Sequence, residues 1–148
     1  MISIDTNILL PAIESTNAAH GRAIAFLEML GARDDVAISE FVLLELYGLL
    51  RNPAVLSRPA SSSSSSAADA CEAFRRHPRW QVIGFPADSR GFHDDLWGRL
   101  REPGLPRRRA YDLRLSMSLV AQGIDEFATV NVKDFQAVGF TRVFNPLR

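Results

Sequence analysis

The chain opens on Ile2-Ser3-Ile4, an apolar–polar–apolar alternation with the period of two expected of a short β-strand. Helical spacing takes over behind it. Asn7 to Ala12 predicts one helical turn ending near Pro11. Asn17 is placed to cap a helix over Ala18 to Leu30, with Gly31 as its stop. Val36 to Ile38 predicts a second strand. Ser39 then caps a strongly apolar helix from Glu40 to Leu50, which ends before Asn52-Pro53. Further helices are expected over Ala67 to Arg76, Ser89 to Arg101 and Ala110 to Gln122, the last closed by Gly123. Further strands are expected over Trp80 to Ile83, Phe127 to Val130 and Arg142 to Phe144. Pro59 to Ser66 contains six consecutive serines, offers nothing to bury, and predicts a flexible low-complexity loop.

Strands alternating with helices predict an α/β fold with a short, mostly parallel central sheet, in one domain over residues 1–148. Ligands of such sheets bind beyond the carboxyl ends of the strands, so polar residues just after strands are the first candidates for chemistry. Composition changes this picture little. The chain is 47% hydrophobic and 23% charged, ordinary for a soluble globular protein. No apolar run approaches the roughly 18–20 residues that cross a bilayer. The start Met1-Ile2-Ser3 lacks the basic residues of a signal peptide, and Cys71, the only cysteine, excludes an intrachain disulfide. These features predict a cytoplasmic location. Seventeen basic residues balance seventeen acidic ones, so overall charge provides no broad attraction for nucleic acid and leaves local arginine clusters as the route.

Four positions could carry chemistry. Asp5 follows the first strand and reads either as a helix cap or as a metal ligand at the sheet rim. Glu45 has Phe41, Val42, Gly48 and Leu49 at helical spacing, which predicts a buried carboxylate that must be neutral, arginine-paired or bound to a cation. Asp112 lies in the first turns of a helix, where acidic residues favour the dipole, but Leu115 and Ser116 on its face predict partial burial. Asn131 follows the strand ending at Val130, and Asp134 lies one turn later. Both also read as a cap and a surface charge. Together these oxygen donors suit Mg²⁺ or Mn²⁺. Zinc is not indicated, because His20, His77 and His93 are scattered and no second cysteine exists. Arg107, Arg108 and Arg109 form either a solvated turn or a grip for a phosphate backbone. No aromatic–basic interleaving along the chain marks a base-reading surface.

With these residues in place, the sequence resembles PIN-domain proteins, specifically the VapC-type ribonuclease toxins of type II toxin–antitoxin systems. The resemblance runs from Ile2 to Pro146. Ile4-Asp5-Thr6-Asn7 is similar to the family's opening, Glu45 to its helical glutamate, and Tyr111-Asp112 with Ser116 to its third acidic position. Ala128 to Phe135 resembles the closing segment, and Phe144-Asn145-Pro146 the ending. The resemblance implies a PIN-like α/β/α sandwich and metal-dependent hydrolysis of RNA phosphodiester bonds. It also implies an antitoxin partner and a homodimer. Asp5, Glu45 and Asp112 would hold the metal. Thr6, Asn7 and Thr129 would support them, and Asn131 or Asp134 would stand at the family's fourth acidic position. Asparagine there is a departure, which keeps open an inactive PIN-fold binding module. An aspartyl-phosphate phosphatase is a further rival. It would use Asp5 with Thr129 and Lys133, but it usually wants an aspartate where this chain has Asn7.

Overall fold

The computed structural model of the chain describes residues 1–56 and 62–148. Five strands form one sheet: β1 (Ile2–Ile4), β2 (Val36–Ser39), β3 (Gln81–Ile83), β4 (Glu126–Ala128) and β5 (Arg142–Phe144). Their spatial order is β3-β2-β1-β4-β5, and every pairing is parallel. The helices are α1 (Thr6–Ile13), α2 (His20–Gly31), α3 (Glu40–Leu50), α4 (Ser64–Arg75), α5 (Ser89–Leu100), α6 (Arg109–Ala121) and the short α7 (Val132–Phe135).

The chain steps outward from β1 to β2 and β3, then crosses back to β4 and β5 on the other side. Parallel crossovers are right-handed, so this reversal sends α1–α4 to one face and α5–α7 to the other. Packing agrees: α1 lies against α2 and α3, α3 against α4, and α5 and α7 against α6. The inner strands β1 and β2 are buried along their whole length, whereas the edge strands β3 and β5 are partly exposed. The main core gathers Ile2, Ile4, Ile8, Leu30, Ile38, Leu46, Leu119 and Phe127 around the sheet. Leu43, Leu46 and Leu50 of α3 are core; the exposed leucine of that helix is Leu44. A smaller cluster of Phe92, Leu96 and Leu113 joins α5 to α6.

Element boundaries differ from expectation where local hydrogen bonds decide them. Helix α1 continues through Pro11 to Ile13. Asn17 does cap a chain reversal, accepting from the Ala19 amide at 2.8 Å, but α2 begins only at His20. Part of the serine run is helical rather than loop. The Ser63 hydroxyl accepts from the Ser66 amide at 3.1 Å, which makes Ser63 the cap and Ser64–Ser66 the first turn of α4. The expected loop's first residues, Pro59 to Ser61, lie outside the described residues. Among the described residues no helix is long and apolar enough to cross a membrane.

Candidate active site

Strand order reverses at β1, so the crevice beyond the carboxyl ends of β1 and β4 is the topological switch point of the sheet. Asp5 leaves β1 at that point, and its amide donates to the Ala128 carbonyl at 2.9 Å, which ties it to the end of β4. A cleft of about 320 Å³ opens there, lined by Asp5, Glu45, Asp112, Asn131, Phe41 and Arg114 among others.

Asp5 is 6% exposed and held by three donors. Its Oδ1 accepts from the Thr6 amide at 2.8 Å. Its Oδ2 accepts from Asn7 Nδ2 at 2.7 Å and from the Thr129 hydroxyl at 2.5 Å. Asn7 completes the bridge between the strand ends, since its Oδ1 accepts from the Val130 amide at 3.0 Å. Asp5 therefore caps α1 and also forms the floor of the cleft; the two roles are compatible. Burial is the main reason its pKa is pushed up to about 6. The Thr129 hydrogen bond opposes the rise, and the charges of Glu45 and Asp112 add to it.

Glu45 corrects a sequence expectation. Its carboxylate is not buried: the residue is exposed on the cleft side of α3. Phe41 and Leu49, which predicted burial, line the cleft beside it instead of closing over it. Glu45 Oε2 accepts from the Thr6 hydroxyl at 2.6 Å, so Thr6 orients Glu45 while its amide holds Asp5. Asp112 is half-buried, as expected. Ser116 beneath it is fully buried and donates to the Asp112 carbonyl at 2.6 Å. The Asp112 pKa is raised, chiefly by burial; Arg109 opposes the rise, and Asp134 and Glu45 reinforce it.

Of the two candidates for the fourth position, Asn131 lines the cleft and Asp134 does not. Asp134 is exposed and reaches the site only through its charge on Asp112. The arginine run divides. Arg107 and Arg108 are exposed in the turn before α6. Arg109 donates to the Asp134 carbonyl and stands 3.9 Å from Asp112, so it braces the site internally. None of the three lines the cleft. The cationic residue that does is Arg114, which sequence reading passed over. Its only visible signal was the spacing of three from Tyr111 on a helix.

All the acidic and amide donors of the cleft are oxygens, and the three carboxylates are electrostatically coupled, with Glu45 and Asp112 both raising Asp5. A divalent cation would relieve that repulsion. Among the described residues no three His, Cys, Asp or Glu side chains converge closely enough to grip one ion together. A cation in this cleft would therefore be held partly through water, and Mg²⁺ is an ion that keeps several of its waters.

An all-parallel five-stranded sheet with acidic residues gathered at its switch point defines this molecule as an α/β protein whose ligand site lies at the carboxyl ends of its strands. No protein-family model matches the chain. The chain is 43% identical over 147 residues to Ribonuclease VapC24 of Mycobacterium tuberculosis, covering 99% of this chain and 97% of that protein. Among solved structures, M. tuberculosis VapC20, described as a sarcin–ricin loop cleaving toxin, shares the fold. Its TM-score is 0.68 at 22% identity, covering 95% of this chain and 96% of that one. VapBC2 of Rickettsia felis, bound to a DNA fragment from its promoter, gives 0.66 at 23% identity, with 98% of each chain covered. This chain belongs to the VapC family of PIN-domain ribonucleases.

Proposed function

We infer that the protein is a ribonuclease that hydrolyses RNA phosphodiester bonds as the toxin of a toxin–antitoxin pair, and that it requires Mg²⁺ or Mn²⁺. The observation that carries this reading is Asp5, a buried carboxylate held by three donors at the sheet's switch point and facing two further carboxylates. The identity to Ribonuclease VapC24 over almost the whole chain supports it. Asp5, Glu45 and Asp112 would hold the cation, directly or through water, with Asn131 as a neutral oxygen donor. When bound, the ion lowers the pKa of water and stabilises charge on phosphate oxygens.

The chain's own residues do the rest. Thr129, Asn7 and the Thr6 amide fix Asp5 in one rotamer. The Thr6 hydroxyl fixes one oxygen of Glu45, and the other would be free to accept a proton from water. Arg109 holds α6 against α7, which keeps Asp112 and Asn131 on one rim. The phosphate backbone meets Arg114 inside the cleft, with Arg107 and Arg108 outside it as longer-range attraction.

The partners are RNA, a cognate antitoxin protein and a second copy of the chain, in the cytoplasm. Residues 1–148 act as one domain, a reading supported by all five strands joining one sheet. The test is induced expression with and without the neighbouring gene product. Growth arrest and RNA cleavage that need Asp112, and that the neighbour relieves, are expected. An Asp112→Asn variant that arrests growth and cuts RNA like the parent overturns the reading.

A further inference from the structure

The cleft has an aromatic wall that catalysis by carboxylates does not use. The Arg114 guanidinium lies 4.5 Å from the centroid of the Phe41 ring and 5.8 Å from that of Tyr111. Phe41 meets Phe85 edge to face at 4.6 Å, with 62° between the rings. Four side chains from α3, α6 and the segment after β3 thus form a continuous series, Tyr111–Arg114–Phe41–Phe85. Its two middle members are partly buried. Its two ends are not: Tyr111 is 68% exposed and Phe85 is 44% exposed.

The wall is built into the acidic elements. Phe41 precedes Glu45 by one helical turn on α3, and Tyr111 precedes Asp112 directly on α6. Arg114 has no hydrogen bond or ion pair among the described residues, and its Nε is buried without a partner. A guanidinium held this way by ring faces keeps its charge for a ligand. Phe41, Tyr111 and Arg114 line the cleft, and Phe85 extends the series beyond it from the far side of Phe41.

We propose that Tyr111, Arg114, Phe41 and Phe85 form a stacking wall that holds unpaired nucleobases of single-stranded RNA next to the scissile phosphate. Phe41 and Arg114 are the pillars that set the spacing. Tyr111 and Phe85 are the faces on which bases lie, and Arg114 supplies the positive charge between them. Every base has a π-face, so such a wall positions an unpaired strand with modest base preference and rejects a continuous duplex, whose bases are already stacked. The proposal rests on the ribonuclease reading, because it presumes RNA in the cleft.

The test uses the full chain in EDTA, so that no strand is cut. Binding is measured for a fluorescent single-stranded oligoribonucleotide of mixed sequence, and for a strand of equal length and charge that lacks bases. Phe85→Ala and Tyr111→Ala should each weaken the base-bearing strand by roughly 5- to 150-fold, the range that base–aromatic stacking spans. Affinity for the abasic strand should be unchanged. Phe85→Trp should restore binding, and Arg114→Lys, which keeps the charge but loses the flat stack, should not restore what Arg114→Ala loses. Tyr111 is 68% exposed, so its variant should melt with the parent. Phe85 also packs on Phe41, Phe92 and His93, so its variant is judged by the difference between its losses on the base-bearing and abasic strands, which a merely loosened fold would not produce. Equal losses for the two strands, or no loss for either, would overturn the wall while leaving ribonuclease action intact. A parent protein that binds neither strand and cuts no RNA would instead remove the reading on which the wall rests.

Discussion

Asp5→Asn separates the structural cost of the site from its chemical use. Native Asp5 holds its proton more tightly than the unfolded chain does, with a pKa moved from 3.8 to about 6. The native state therefore gains from protonation. That gain is complete below pH 3.8 and is lost as pH rises through about 6. At 1.36 kcal/mol per pH unit, carrying Asp5 ionised at pH 7 costs the metal-free fold about 3 kcal/mol. Asparagine removes the charge. It retains an oxygen for the Thr6 amide but sets an NH₂ against the Asn7 amide and the Thr129 hydroxyl, a mismatch worth about 1 kcal/mol at any pH. In EDTA the variant should be about 0.5 kcal/mol less stable than the parent at pH 4, where the unfolded aspartate is already more than half ionised, and about 2 kcal/mol more stable at pH 7. The swing of about 2.5 kcal/mol corresponds to roughly 5–10 °C in melting temperature for a chain of this length. Urea or thermal unfolding of both proteins from pH 4 to 7.5 measures it. Addition of Mg²⁺ should stabilise the parent and leave the variant where it was, since only binding to the native site shifts the equilibrium. RNA cleavage by the variant should be lost. A stability difference that stays flat with pH, or that moves the other way, refutes the account of Asp5 as a carboxylate whose burial and neighbours oppose its charge.

Other outcomes follow from the same geometry. Glu45→Gln keeps an acceptor for the Thr6 hydroxyl and removes a charge that raises both Asp5 and Asp112. Its metal-free melting temperature should match or exceed the parent's while cleavage is lost; a clear drop in EDTA would contradict the repulsive cluster. Asn131→Asp adds a carboxylate at the cleft lining, so calorimetry should find tighter Mg²⁺ or Mn²⁺ binding, and an unchanged affinity would place residue 131 outside the metal's reach. Ser63→Ala removes the cap of α4 and should cost about 0.5–2 kcal/mol in urea unfolding with cleavage retained, whereas no loss of stability would show the serine run to be loop after all.

Much of this protein was legible in the chain because short-range patterns encode it. The period of two in Ile2–Ile4, the Ser39 cap ahead of an apolar run, and Gly123 at positive φ after α6 are local signals, and each produced the expected element. Asp5 was readable as a strand-end acid for the same reason. Depth and partnership were not readable. Helical spacing around Glu45 reported apolar neighbours but not that they form the side of an open cleft, so the carboxylate most expected to be buried is exposed. Asp5, which also read as a mere cap, is the buried one. The run Arg107–Arg109 looked like the RNA grip, but tertiary contacts turn Arg109 inward to brace Asp112 and bring the isolated Arg114 into the cleft. Tyr111 and Arg114 are neighbours on one helix, but it is folding that brings Phe41 and Phe85 beside them from two other segments. Local order depends on neighbours within one or two turns, which the sequence contains. The exposure of a carboxylate and the company of an arginine depend on which distant segments the sheet's reversal at β1 brings together.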